Sequence, residues 1–441
     1  MIWHIEQRGI AMDHAAQYRE KCTTLDAVLA SVRSGEQLCT SGVLCEPLAF
    51  LERFHEIVPR LENVDFLKGR NIDVPFLHMP DLREHVTILG HLYDATLREV
   101  VPNGAVTHMA SNLHDFMKNR VAYKPIDRFI AMATPMDENG DFCVSGCGMW
   151  EYVAAANAKH IILEVNPYLP KFRGSLRINI DMVDMLYEAP RPATEYPVAV
   201  PTEMDRVIGE AVASLVHDGD CIQIGLGGMP DVVGRAFMDK HDLGLHTELF
   251  TPVIGDLIAA GVITGARKNI DRGEHVGSFV QGDRRLYDIL ANNPHVRFDD
   301  IAYTNDPAVI GSIDNMVSIN TAMEIDLTGQ ICSESIGSVQ YSGTGGAFDF
   351  AFGATHSKGG RSIMAIASTA KHGTISKIKA QLTPGAVVSV SRNVADIIVT
   401  EYGIAYMRGR SVRERVKNLI AIAHPDYREE LTREARKLFW I

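Results

Sequence analysis

The sequence predicts an α/β protein built as two similar open domains with mostly parallel sheets. Three observations predict it. Apolar runs of strand length alternate with helical patterns along the chain, one strand–loop–helix unit occurs twice, and 441 residues exceed what one hydrophobic core usually supports.

The strand-like runs are 129–134, 161–165, Cys221–Ile224, 362–367, 386–390 and Ile397–Thr400. Helical patterns cover 27–32, 207–216 and Val412–Ile422. The last carries Val412, Val416, Leu419, Ile420 and Ala423 on one face, with Ser411 placed to cap it.

In the repeated unit, 24–33 reads as a helix, Ser34-Gly35 as a turn and Gln37–Thr40 as a strand; Gly42 lies in the loop and Pro47 opens the next helix. The second copy has a helix at 205–217, the turn Asp218-Gly219, the strand Cys221–Ile224, a glycine loop at 225–228 and Pro230 at the next helix start. The turn glycine precedes the proline by 12 positions in one copy and 11 in the other. Duplication of one α/β domain explains this spacing. The Pro-rich stretch holding Pro190, Pro192, Pro197 and Pro201 is the expected linker, dividing the chain into domains 1–195 and 196–441.

Composition is that of a globular chain, 46% hydrophobic and 22% charged, with net charge -12. That charge, without any Lys/Arg block, argues against nucleic acid or an anionic membrane as partner. An anionic substrate must therefore be held by local cations. Residues 1–8 show no signal-peptide pattern, and no window reaches the roughly 18 uninterrupted apolar residues of a membrane helix. The seven cysteines are odd in number and scattered; Cys143 and Cys147 are too isolated to form half of a zinc site and read as small buried thiols, which fits a reducing cytoplasm.

Several segments could carry chemistry. Gly225, Gly227 and Gly228 follow a strand and open a helix, where free N–H groups suit an anion, or they form only a tight turn. Pro230 stands where a dinucleotide fingerprint needs its third glycine, which argues against a nicotinamide-dependent dehydrogenase. Glu248 follows a short strand at 243–246, at the strand end where open α/β sheets place ligands. A glutamate there can be a nucleophile, a base or an exposed charge, and acidic residues are mostly surface residues. The cluster Gly343-Thr344-Gly345-Gly346 can aim backbone N–H groups at one point, as an oxyanion hole requires; Phe348, Phe350 and Phe352, which follow it without a clean helix, call for burial. Asn320, Lys371 and Glu401 also stand at or just beyond strand ends.

These stretches resemble the class I CoA transferases, in particular the acetyl-CoA hydrolase/transferase branch with its 4-hydroxybutyrate, butyrate and itaconate CoA-transferases. The matching segments are GLGGMPD (225–231), LGLHTELF (243–250), AAGVITG (259–265), the run 305–337, SGTGGAFDF (342–350), STAKHGTIS (368–376), VTEYGIAYMRG (399–409) and IAHPDYR (422–428). The resemblance implies an active site between the two domains and a ping-pong exchange of CoA between a short-chain acyl-CoA and a small carboxylic acid. It implies no metal and no cofactor beyond CoA itself, and a homodimer or homotetramer. Carried onto this sequence, it makes Glu248 the nucleophile and Gly346 the oxyanion donor, with Asn320 orienting the reacting carbonyl. Glu401 is expected beside Glu248, with Lys371, Gly345 and the 225–228 glycines along the CoA channel. Two departures bear on the acyl pocket: Ala347 where relatives commonly carry Gln, and Lys171-Phe172-Arg173-Gly174-Ser175-Leu176 where they tend to show a basic-Thr-x-x-Gly-Asp pattern. The alternatives are an acyl-CoA hydrolase using the same glutamate and a CoA-binding protein without catalysis.

Overall fold

The computed structural model describes residues 13–69, 72–196, 202–225 and 227–441. The N-terminal residues 1–8, the linker residues Pro197 and Pro201, and Leu226 of the glycine loop lie outside them.

Two large sheets organise the chain. The first contains β1 (Gln37–Thr40), β2 (Val64–Leu67), β3 (Val86–Gly90), β4 (Val106–His108), β5 (Ile126–Ala133), β6 (Ala158–Val165) and β7 (Met185–Glu188). Its spatial order is β4-β3-β2-β1-β5-β6-β7, all parallel. The second contains β8 (Cys221–Ile224), β9 (Gly244–His246), β10 (His275–Gly277), β11 (Val296–Phe298), β12 (Met316–Thr321), β13 (Arg361–Ala365), β14 (Ile397–Thr400) and β15 (Gly403–Tyr406). Its order is β11-β10-β9-β8-β12-β13-β14-β15, parallel except for the β14–β15 hairpin.

The two orders match strand for strand, with one antiparallel strand added to the second. Each sheet reverses direction of growth beside the strand of the repeated unit, between β1 and β5 and between β8 and β12. Gly35 and Gly219, the paired turn glycines, adopt φ 78° and 87°, a region that favours glycine. Such a reversal opens a crevice at the carboxyl ends of the strands, the usual ligand position in open α/β sheets.

Local signals explain the elements. Ser411 caps the helix Val412–Ile422 in a capping box with Glu414, and Thr202 does the same with Asp205 for Glu203–Ala213. The central strands are buried along their length, as parallel strands covered on both faces must be. One apolar cluster runs from Cys39, Phe129 and Leu163 on the first sheet to Ile222, Leu245 and Ile319 on the second.

Three expectations fail. Residues 386–390 form no strand: Val390 makes one isolated bridge to Ile331, while Val387 and Val388 are exposed. The apolar run has no partner strand along its length. The glycine cluster does lead into a clean helix, Ala347–His356, with Gly346 at its N-cap. On that helix Phe350 is buried, but Phe352 is exposed, since the two point to different faces. All seven cysteines are free thiols; Cys147 is buried as expected, whereas Cys143 is only half-buried, and no described helix is long and apolar enough to cross a membrane.

Candidate active site

Glu248 sits just beyond β9, half-buried, on the wall of a cavity of about 230 Å³. Its backbone is pinned: the Glu248 carbonyl accepts from Ser278 N at 3.1 Å and Phe279 N at 3.2 Å, and Thr247 N donates to Val276 O at 3.0 Å. His246, immediately before, is fully buried and bonded through Nε2 to the Thr304 carbonyl at 2.8 Å. Burial, with Lys268 adding to it, pulls the His246 pKa down to about 3, so this imidazole is neutral and structural.

One side chain that meets the Glu248 carboxylate is Asn305. Its Nδ2 donates to Glu248 Oε2 at 2.9 Å. Asn305 is itself oriented, because Thr304 Oγ1 donates to its Oδ1 at 3.1 Å and the Thr304 hydroxyl in turn contacts Ser278 Oγ. This line of hydroxyls fixes which face of the amide carries the donors. Asn305 follows the short helix Ile301–Thr304, and Asp306 caps the helix that starts at Pro307. Loss of one hydrogen bond to a charged group corresponds to about 1.5–3 kcal/mol. Asn305→Ala is therefore expected to lower kcat by roughly 10- to 100-fold with little change in melting temperature, measured by steady-state kinetics beside thermal unfolding.

Gly346 presses on the same carboxylate. A Cβ built there would collide with Glu248 Oε2 and Asn305 Nδ2, and one built at Gly343 would collide with the His91 carbonyl. Only glycine lets the 343–346 backbone lie between Glu248 and the first half of the chain. Gly345, at φ 53°, makes the turn into the helix.

That helix is anchored by a residue of the first half of the chain. Asp349, fully buried in its first turn, accepts from His114 Nδ1 at 2.8 Å and from His114 N at 3.2 Å. The Asp349 bond raises the His114 pKa above its ordinary 6.5, with Asp115 and Asp306 adding to it and burial opposing. Burial pushes the Asp349 carboxyl up, against the attraction of His114. The imidazolium therefore carries the gain. A raised histidine pKa contributes stability that is complete below about pH 6.5 and lost as pH rises through the folded value. The melting-temperature advantage of the wild type over His114→Asn is accordingly expected to be larger at about pH 6 than at about pH 9.

Asn320, at the end of β12, faces Gln223 of β8 across the point where the sheet reverses. The two amides exchange bonds, Gln223 Nε2 to Asn320 Oδ1 at 3.2 Å and Asn320 Nδ2 to Gln223 Oε1 at 3.1 Å. Both line the cavity, as do Gly225, Gly345 and Gly346. Gly227, at φ 129°, and Gly228 instead begin the helix Gly228–Arg235 and are not on the cavity wall. Glu401 accepts from Ser368 N at 2.9 Å and from Ser368 Oγ at 2.6 Å, bracing the ends of β13 and β14. Lys371 is exposed in a left-handed turn with His372, between short strands Thr369–Ala370 and Ile375–Ser376, and lines no part of this cavity. Sequence reasoning missed Asn305 and Gln223 as site residues. Among the described residues, no group of three His, Cys, Asp or Glu is placed to hold a metal ion.

Comparison with known proteins identifies the family. Residues 282–435 match the model of the acetyl-CoA hydrolase/transferase C-terminal domain. The chain is 42% identical to 4-hydroxybutyrate coenzyme A transferase of Clostridium kluyveri, over 96% of this chain and 99% of that one. The chain belongs to the acetyl-CoA hydrolase/transferase family. Succinyl-CoA:cyclohexane-1-carboxylate CoA transferase of Geobacter metallireducens is 38% identical, over 96% of each chain. Among solved structures, RipA from Yersinia pestis superposes with a TM-score of 0.92 at 35% identity, covering 98% of this chain and all of that one.

Proposed function

We propose that this chain is a CoA transferase that moves coenzyme A between a short-chain acyl-CoA and a small carboxylic acid, with Glu248 as covalent nucleophile and residues 1–195 and 196–441 as its two domains. The observation that carries the reading is the Glu248 carboxylate on a cavity wall, aimed by Asn305 and in contact with the Gly346 backbone.

The steps balance without an external reagent. A Glu248 oxygen attacks the thioester carbonyl, the C–S bond breaks, and an acyl-glutamyl anhydride and CoA thiolate form. The thiolate then attacks the glutamyl carbonyl, giving a glutamyl-CoA thioester and releasing the first acid as its carboxylate. A second carboxylate attacks this thioester, and the same two steps run backwards to give the new acyl-CoA and free Glu248. A carboxylate nucleophile suits the task because each exchange trades bonds of similar energy. The Gly346 N–H is assigned to the developing oxyanion, and the Asn320 amide, held by Gln223, to the reacting carbonyl. Glu401 braces the neighbouring strand ends through Ser368.

Mixing the protein with acyl-CoA, then with borohydride or hydroxylamine, is expected to modify Glu248 as read by peptide mass spectrometry. A label on another residue would sink the assignment. CoA release that ignores a second acid and yields no new thioester would make the protein a hydrolase instead.

A further inference from the structure

A second cavity, of about 400 Å³, opens beside the first and shares Thr321, Ser333 and Ser342 with it. Its walls come from both halves of the chain, and each half contributes a cation: Arg98 from the helix Ala95–Val100 and Lys377 from the second half. Arg98 lies over the Tyr341 ring at 4.1 Å, and its Nη1 donates to the carbonyls of Tyr341 at 3.1 Å and Tyr93 at 3.3 Å. These contacts fix the guanidinium plane while using one nitrogen. Among the described residues, no acceptor meets Arg98 Nε or Nη2, and neither cation is ion-paired. Lys377 Nζ donates to the Ala322 carbonyl at 3.0 Å, which leaves two of its N–H groups unused. Asp94, on the same wall, accepts from Leu97 N as a helix cap.

We propose that Arg98 and Lys377 seat the phosphates of the CoA moiety, with its neutral amide-bearing arm crossing Thr321, Ser333 and Ser342 to reach Glu248. The inference rests on the transferase reading for the identity of the ligand. Three features carry it. In a chain of net charge -12, a multiply anionic ligand must find local cations, and two unpaired ones face one cavity. The shared wall offers hydroxyls that suit an amide-bearing arm. The combined space is of the size that ligand sites of this kind occupy. Lys371, the cation expected from the sequence to meet CoA, lies outside both cavities; Lys377, six positions on, takes its place.

The test compares acetyl-CoA with acetyl-pantetheine, which lacks the phosphates, and with succinyl-CoA, in wild type, Arg98→Gln and Lys377→Gln. Each substitution is expected to reduce the wild-type preference for acetyl-CoA over acetyl-pantetheine, in kcat/KM, by roughly 10- to 100-fold. A preference that does not change overturns the proposal, as does equal loss on both substrates, which would mark a structural role. A loss confined to succinyl-CoA would assign the cations to the distal carboxylate of a dicarboxylic acyl group, and also overturns it. Calorimetric binding of CoA against pantetheine separates this from the activity reading. A protein that hydrolyses rather than transfers should still discriminate the two through Arg98 and Lys377.

Discussion

Glu248→Gln is expected to lower the rate of CoA transfer by roughly ten-thousand- to million-fold while leaving the fold intact, the range seen when a covalent nucleophile is removed. Glutamine keeps the shape of the side chain, and the Glu248 backbone bonds to Ser278 N and Phe279 N do not depend on the carboxylate. What disappears is the nucleophilic carboxylate oxygen that, in the proposed steps, forms the anhydride bridge and leaves with the first acid when the thiolate takes its place. Because Asn305 donates Nδ2 to Oε2, the new amide can turn its oxygen to that donor and preserve the local bond. The expected signature is therefore unchanged thermal unfolding, retained CoA binding and no covalent label after borohydride. A variant that kept more than about a hundredth of the wild-type rate would remove Glu248 from the covalent role.

Much of the frame was legible because it is local. The strand Cys221–Ile224, the strand Ile397–Thr400 and the helix Val412–Ile422 with its Ser411 cap follow from short apolar patterns and one hydroxyl. The repeated unit was legible too, and the matching strand orders are its physical counterpart. What the pattern could not supply lies in pairings between distant positions. Asn305 meets Glu248 across 57 positions of sequence, and Gln223 meets Asn320 across 97. A lone Asn before Asp-Pro reads as a turn, and a lone Gln inside an apolar strand reads as an exception. Only the parallel register, which sets Gln223 opposite Ser318 and Ile224 opposite Ile319, brings those amides together. Composition also misled at 386–390, where Val387 and Val388 have strand propensity but no neighbouring strand.

The two sheets share one plan but not one chemistry. Beyond β9 the chain places Glu248 on a cavity wall; beyond β2, at the same position in the sheet order, it places Lys68. Lys68 is almost wholly buried and donates to Glu46 Oε1 at 3.4 Å and to the Gly69 carbonyl at 3.2 Å. Removing one partner of such a pair strands the other charge, which costs about 3–5 kcal/mol. At this position the first half thus pairs its strand-end charge internally, while the second half leaves Glu248 on a cavity wall.

Gly346→Ala tests how closely the backbone must approach the Glu248 carboxylate, and its expected cost is roughly 100- to 1000-fold in kcat. Gly346 adopts φ -84°, which alanine reaches freely, so the substitution carries no backbone strain. Its methyl group would nonetheless overlap Glu248 Oε2 and Asn305 Nδ2. Relief requires either turning the carboxylate off Asn305 or lifting the loop that caps the helix Ala347–His356, and His114 holds that helix through Asp349. Both routes misplace the attacking oxygen relative to the donor assigned to the oxyanion, which acts in the transition state rather than on bound substrate. The loss should therefore fall on kcat, with KM nearly unchanged. Gly345→Ala provides the contrast. At φ 53° it forces a left-handed alanine, costing about 1–2 kcal/mol, while its methyl group would meet only Leu92 Cδ2 at 3.7 Å. That variant should lose melting temperature more than rate, and Gly346→Ala the reverse; if both lost only stability, the Gly346 backbone would have no part in the chemistry.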